Sequence, residues 1–155
     1  MANLLKKLRE EFSDLLFVPS DSFYWSPRKN AVHYLPEALD TDNGEWSLLH
    51  ELGHALLEHQ TFKSDFELLK LELAAWEKAK TIASSHMIII DSDHIEDCLD
   101  SYRDWLYLRS TCPTCSSCSQ QIDTHIYRCF NCNNSWRVSK SRRCRSYRKK
   151  VVLTK

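Results

Sequence analysis

Two groups of residues in this chain have the types and spacing to hold metal ions. The first lies in SLLHELGHALLEH, Ser47 to His59, which contains the pattern H-E-x-x-H. Residues four apart on a helix lie one above the other, so His50 and His54 can turn both imidazoles toward one ion. Glu51 sits about 100° further round the helix, given ~3.6 residues per turn. That position is off the ion but within reach of a water beside it. Zinc takes nitrogen, sulfur or carboxylate donors in a tetrahedral array, and a catalytic zinc keeps one position open. Glu51 is then the expected general base, taking a proton from water and passing it to a leaving amine. A third protein ligand is needed, and Glu72 is the expected one. It lies beside an apolar stripe of Leu69, Leu73 and Trp76, where a carboxylate is costly to bury without a cation.

The second group is CPTC and CFNC, two C-x-x-C knuckles separated by 13 residues. Each knuckle turns two thiolates to one side, and Cys112, Cys115, Cys129 and Cys132 together close a structural zinc tetrahedron. The surrounding segment has too few apolar residues to fold without such a staple. Cys118 also forms C-x-x-C with Cys115, but Pro113 favours the turn of the first pair, so Cys118 is left out. Cys98 is expected as a core thiol and Cys144 as a free one. Two Zn2+ per chain are therefore expected, one catalytic and one structural.

These residues need elements to position them. Leucines at helical spacing predict an opening helix over about Asn3 to Leu16. SFYWSP and AVHYLP predict a β-hairpin across Arg28 to Asn30. Asp42 with Glu45 resembles a capping box opening the H-E-x-x-H helix. A third helix is expected over about Ser64 to Ser84, with Phe66, Leu69, Leu73, Trp76 and Ala83 on one side. A fourth is expected from Asp91 or Ser92 to about Arg109. Periodicity leaves MIII, Met87 to Ile90, open between a short strand and a connection. Gly53 offers room for a neighbouring backbone to approach. His33 and Tyr34, just ahead of the active-site helix, are expected as strand residues, with an edge strand there able to pair with an extended substrate.

With WSLLHELGHALLEH and ELAAWEKA (Glu72 to Ala79) in view, the chain resembles the ImmA/IrrE family of small zinc metallopeptidases over about Phe23 to Ala83, less than half its length. That family carries H-E-x-x-H and then Glu-x-x-Ala-(Asn or Trp)-x-x-Ala. The resemblance implies His50, His54 and Glu72 as ligands and Glu51 as base. It also implies limited proteolysis of a protein partner, often a DNA-bound regulator. A zinc ribbon behind H-E-x-x-H is instead similar to the SprT-like proteases, which use a third histidine. On that second resemblance His59 or His86 takes the place of Glu72, although His59 turns away from the pair.

The formal net charge is zero, yet residues 1–111 carry a net of −9 and residues 112–155 a net of +9. Such asymmetry suggests two modules, the second with an anionic partner. The expected fold is α+β: a minimal helix-rich zincin domain with a small β-hairpin or sheet (1–110), a zinc ribbon (111–140) and a basic, flexible tail (141–155). Arg137, Lys140, Arg142, Arg143, Arg145 and Arg148 are the expected contacts to DNA or RNA phosphates. The expected function is cleavage of a protein or peptide substrate by a zinc-dependent endopeptidase that the basic ribbon brings to its target. The alternative is a non-catalytic zinc module that grips nucleic acid or protein. There is no signal-peptide pattern and no apolar run of membrane length, so a cytoplasmic protein without a membrane partner is expected.

Overall fold

The computed structural model describes residues 2–142 and 144–152. Four α-helices and two β-sheets make up these residues, a mixed α+β architecture. The chain divides into two compact units. One contains the residues up to Thr61 with Lys70–Glu96; the other contains Phe62–Leu69 with the residues from Asp97 on. The division does not coincide with the break expected at residue 110.

In the first unit, helix α1 runs over Ala2–Glu11 and strand β1 over Leu16–Pro19. The expected helix to Leu16 thus ends early. Phe17 is buried in β1, and the leucine spacing that suggested a longer helix belongs in part to a strand. Strands β2 (Tyr24–Ser26) and β3 (Ala31–Tyr34) form the expected hairpin. A short 3-10 turn, Pro27–Lys29, joins them, and Asn30 takes a left-handed φ of 49°. The sheet order is β1-β3-β2, so β3 is central and lies parallel to β1.

Helix α2, Asp42–Leu56, packs on β2 and β3. Its cap is Thr41 rather than Asp42: the threonine oxygen accepts from the Gly44 N–H at 3.1 Å. Helix α3 covers Asp65–Ser85 and helix α4 covers Ser92–Ser110. The segment between them, MIII, is a connection, with Met87 91% and Ile89 88% exposed. The buried face of α3 is Glu72, Ala75, Trp76, Ala79, Ile82 and Ala83, while Leu73 and Phe66 point outward. Of the stripe read from the sequence, Trp76 and Ala83 face inward, and Glu72 rather than Leu73 takes the inward place one turn before Trp76.

The second unit carries an antiparallel sheet in the order β4-β5-β6-β7: Gln120–Asp123, Ile126–Arg128, Ser135–Val138 and Arg148–Val151. Its core is small: Cys112, Tyr127, Cys129, Trp136 and Val138. A buried ion pair supports it. Arg109 grips Asp65 through two hydrogen bonds, Nε to Oδ2 at 2.6 Å and Nη2 to Oδ1 at 3.2 Å. The Tyr127 hydroxyl also donates to Asp65, at 2.7 Å, and Trp136 Nε1 donates to the Arg109 carbonyl at 2.9 Å. Sheet, α4 and the first turn of α3 are thereby tied together, which explains why residues 62–69 and the end of α4 group with the sheet. The tail expected to be flexible supplies β7 over Arg148–Val151. Without it β6 would be an edge with unpaired backbone groups. No helix among the described residues is long and apolar enough to cross a membrane.

Candidate metal centres

Helices α2 and α3 bring His50, His54 and Glu72 together, with one donor atom from each lying within 4.8 Å of the others. His50 Nε2 is 3.1 Å from His54 Nε2 and 3.1 Å from Glu72 Oε2; His54 Nε2 is 3.6 Å from Glu72 Oε1. A tetrahedron with metal–ligand bonds of about 2.0–2.1 Å has edges of about 3.3–3.4 Å. The separations are close to such edges, with one Glu72 oxygen nearest each imidazole. Two imidazole nitrogens and a carboxylate at these separations are compatible only with a proton or a cation among them.

The approach of the two helices depends on Gly53. A Cβ there would meet the Ala75 carbonyl oxygen at 2.5 Å. Trp76, one turn beyond Glu72, packs against His50 with ring centroids 4.2 Å apart. The electrostatics match the geometry. Burial acts to raise Glu72, but hydrogen bonds and charge from His50 and His54 bring its pKa down to about 2. Burial acts to lower His54, yet the Glu72 hydrogen bond and the charges of Glu72 and Glu51 carry it above its ordinary value.

Glu51 is outside the triangle of donors. Its Oε2 accepts the Trp25 backbone N–H at 2.8 Å. Burial raises its pKa, against the opposing charges of His50 and His54.

Two supporting roles at this site escaped sequence reasoning, which weighed His59 only as an alternative ligand and gave Trp25 no part. Helix α2 ends at Leu56, and Glu58 takes a left-handed φ of 53°. The chain turns back there, with the His59 N–H donating to the His54 carbonyl at 3.0 Å. His59 Nδ1 then lies 2.8 Å from His54 Nδ1. His59 does turn away from the donor triangle, but it meets the other nitrogen of His54. Burial, followed by the His54 charge, holds the pKa of His59 down. With His59 as the acceptor of this hydrogen bond, His54 Nδ1 carries the proton and its Nε2 lone pair is free for a cation. Trp25 completes the support, its indole N–H donating to the His59 carbonyl at 2.8 Å. His50 differs, since its Nδ1 is buried without a hydrogen-bond partner among the described residues.

Other residues considered for this site lie elsewhere. His86 bonds Glu11 at 3.0 Å. His33 is stacked on Tyr24, with centroids 4.1 Å apart and planes 6° apart, and the Tyr34 hydroxyl accepts from Arg9 at 3.2 Å.

The second cluster joins Cys112, Cys115, Cys129 and Cys132. Cys112 Sγ is 3.6 Å from Cys132 Sγ, and Cys115 Sγ is 3.5 Å from Cys129 Sγ. A tetrahedron of metal–sulfur bonds of about 2.3 Å has edges of about 3.8 Å, so these thiols also fit one ion. The two knuckles are near-copies of each other. Ser116 N–H donates to the Cys112 carbonyl and Asn133 N–H to the Cys129 carbonyl, both at 3.0 Å. Cys112 N–H donates to the Ser117 carbonyl at 2.9 Å and Cys129 N–H to the Asn134 carbonyl at 2.8 Å. Ser116 and Asn133 take left-handed φ values of 59° and 58°. N–H groups of Thr114 and Cys132 point at the sulfurs of Cys112 and Cys129. Hydrogen bonds from the Ser117 hydroxyl and N–H bring the Cys115 thiol down to about 5, favouring the thiolate a metal requires.

Cys118 stands outside the knuckle, exposed and bridged to Thr111. Cys98 is half-buried and Cys144 is exposed. Of the basic residues expected to meet phosphate, Arg137, Lys140 and Arg145 are exposed. Arg142 lies 3.6 Å over the Tyr102 ring and donates to Ser101, and Arg148 donates to the Thr111 carbonyl. Arg143 lies outside the described residues. Comparisons with known protein families, curated proteins and solved structures return no match.

Proposed function

We propose that the chain is a zinc-dependent endopeptidase acting on a protein partner, with a second, structural zinc held by the four cysteines as a zinc ribbon. One observation carries the first part: His50, His54 and Glu72 bring one donor each within 4.8 Å of the others, while the adjacent carboxylate of Glu51 is held apart by the Trp25 N–H. Three protein donors leave a position for the reacting groups, the arrangement of catalytic rather than structural zinc. A zinc ion held there supplies Lewis acidity toward a carbonyl oxygen. Glu51 takes the proton from the attacking water as the new C–O bond forms. It then delivers that proton to the amine nitrogen as the C–N bond breaks. Trp25 fixes the plane of the Glu51 carboxylate, and His59 fixes the tautomer of His54.

A second reading, a non-catalytic module, draws on the low exposure of the three donor side chains, 9%, 12% and 9%. Glu51→Gln separates the two. The variant is expected to keep two zinc ions per chain by elemental analysis while losing about 10²–10⁴-fold in cleavage of a denatured, fluorescently labelled protein. Wild-type protein that holds both ions and cleaves no faster than the variant would leave only the second reading. His50→Ala is expected to lower the count to one ion.

A further inference from the structure

Residues paired directly across neighbouring strands point to the same face of a sheet. In the second unit, Gln121, Tyr127, Trp136 and, at the exposed edge strand, Lys150 form such a row. Tyr127 and Trp136 are buried, with ring centroids 5.8 Å apart and planes 13° apart, and their polar atoms reach Asp65 and Arg109. This is the inner face. The outer face carries two rows, Gln120–Arg128–Ser135–Val151 and Asp123–Ile126–Arg137–Lys149.

Arg128, Arg137 and Lys149 are all exposed on that outer face. They stand on three adjacent strands, each about 4.8 Å from the next. Arg137 and Lys149 are direct cross-strand partners, a placement of like charges that destabilises a sheet. The one acid in these rows, Asp123, is on the far strand, and its carboxylate accepts from the Thr124 N–H at 2.7 Å. One aromatic ring touches these cations, and a second is exposed in the turn that follows β5. Tyr147 is 39% exposed, with Lys149 Nζ 5.5 Å from its centroid, and Phe130, two residues past Arg128, is 74% exposed.

We propose that this outer sheet face binds single-stranded nucleic acid, with Arg128, Arg137 and Lys149 on successive phosphates and Tyr147 and Phe130 stacking on bases. Adjacent cations that weaken the fold are stabilised by a polyanion. Exposed rings beside them suit unpaired bases, whose faces every sequence offers. The assignment differs from the sequence expectation in its residues: it keeps Arg137 alone of the six, adds Arg128 and Lys149, and excludes among others Arg142 and Arg148, which are engaged within the unit. It stands independently of the peptidase reading.

The test uses the full zinc-loaded chain and a fluorescein-labelled oligothymidylate of about 15 nucleotides, with anisotropy measured as a function of salt. Each phosphate contact to a single strand contributes about 0.7 to the slope of log K against log salt. Replacing Arg128, Arg137 and Lys149 together by Gln is expected to flatten the slope by about 2 and to weaken binding at least tenfold at about 0.1 M salt. The paired control, R142Q with R148Q, is expected to leave the slope unchanged, and Arg137→Lys to retain it. Zinc content and circular dichroism are expected to match the wild type in all of them. An unchanged slope in the triple variant, an equal flattening in the control, or an absence of binding by the wild type overturns the proposal. So does competition by unlabelled duplex as effective as that by the single strand.

Discussion

The two candidate metal centres are assembled by opposite means. The cysteine cluster is made from two short turns with the same backbone hydrogen bonds, and each turn presents its thiols without help from the rest of the fold. The histidine–glutamate cluster depends on two helices meeting closely enough for a carboxylate on one to reach two rings on the other. The cysteine cluster offers an ion four protein donors, the histidine–glutamate cluster three. A local, closed site suits a role in folding. A site built on an existing core and short of one donor suits chemistry.

That contrast is broken most directly by removing one donor from each centre. Cys129→Ser is expected to release its ion and unfold the small core of Tyr127, Trp136 and Val138. A structural zinc contributes on the order of 10 kcal/mol or more to such units, and the core holds few other apolar residues. The expected readout is rapid proteolysis beyond about Ser110. His50→Ala is expected to release its ion and leave cooperative unfolding intact, because Leu48, Leu49, Leu52, Trp76, Ala79 and Ile82 remain buried in the first unit. If the histidine variant is digested as fast as the cysteine variant, the two centres do not differ in the way described.

The contrast also accounts for what the sequence shows and what it conceals. The donor residues are visible because each set repeats a fixed interval: four residues between His50 and His54, three within each cysteine pair. Glu72 is visible because a carboxylate stands in a helical position that faces inward. The parts that His59 and Trp25 play are not visible. Their roles arise from a left-handed residue at the end of α2 and from a strand N–H 26 residues away from Glu51. The Asp65–Arg109–Tyr127 network joins residues 44 and 62 apart, and no local pattern encodes it. Strand β7 was hidden by its charge, since Arg148, Lys149 and Lys150 read as a solvated run although their backbone completes the sheet.

Helix approach, the feature that sets the first centre apart, can be perturbed without touching a donor. Gly53→Ala places a methyl 2.5 Å from the Ala75 carbonyl oxygen, too close for either backbone to stay in place. Overpacking of this kind costs about 1–3 kcal/mol. Because Glu72 is on the helix that must move, the ion of the first centre is expected to bind more weakly while that of the cysteine cluster does not. Competition with a chromophoric chelator measures both. Unchanged zinc affinity at both centres would show that α3 yields without carrying Glu72 with it.

The smallest expected effect concerns the two histidines of the first centre. His50 is held by packing on Trp76, whereas His54 is held by a hydrogen bond shared between its far nitrogen and His59. Loss of such an outer partner lowers metal affinity by about 10–100-fold, or about 1.4–2.7 kcal/mol. His59→Phe is expected to show that loss in a zinc titration of the first centre, with little change in unfolding midpoint because His59 is only half-buried. His59→Asn offers a carbonyl acceptor in place of the ring nitrogen and is expected to recover part of the affinity. If Phe and Asn are equally impaired, the ring of His59 acts by filling space. If neither is impaired, the two-helix geometry alone orients His54, and both histidines are then held by packing.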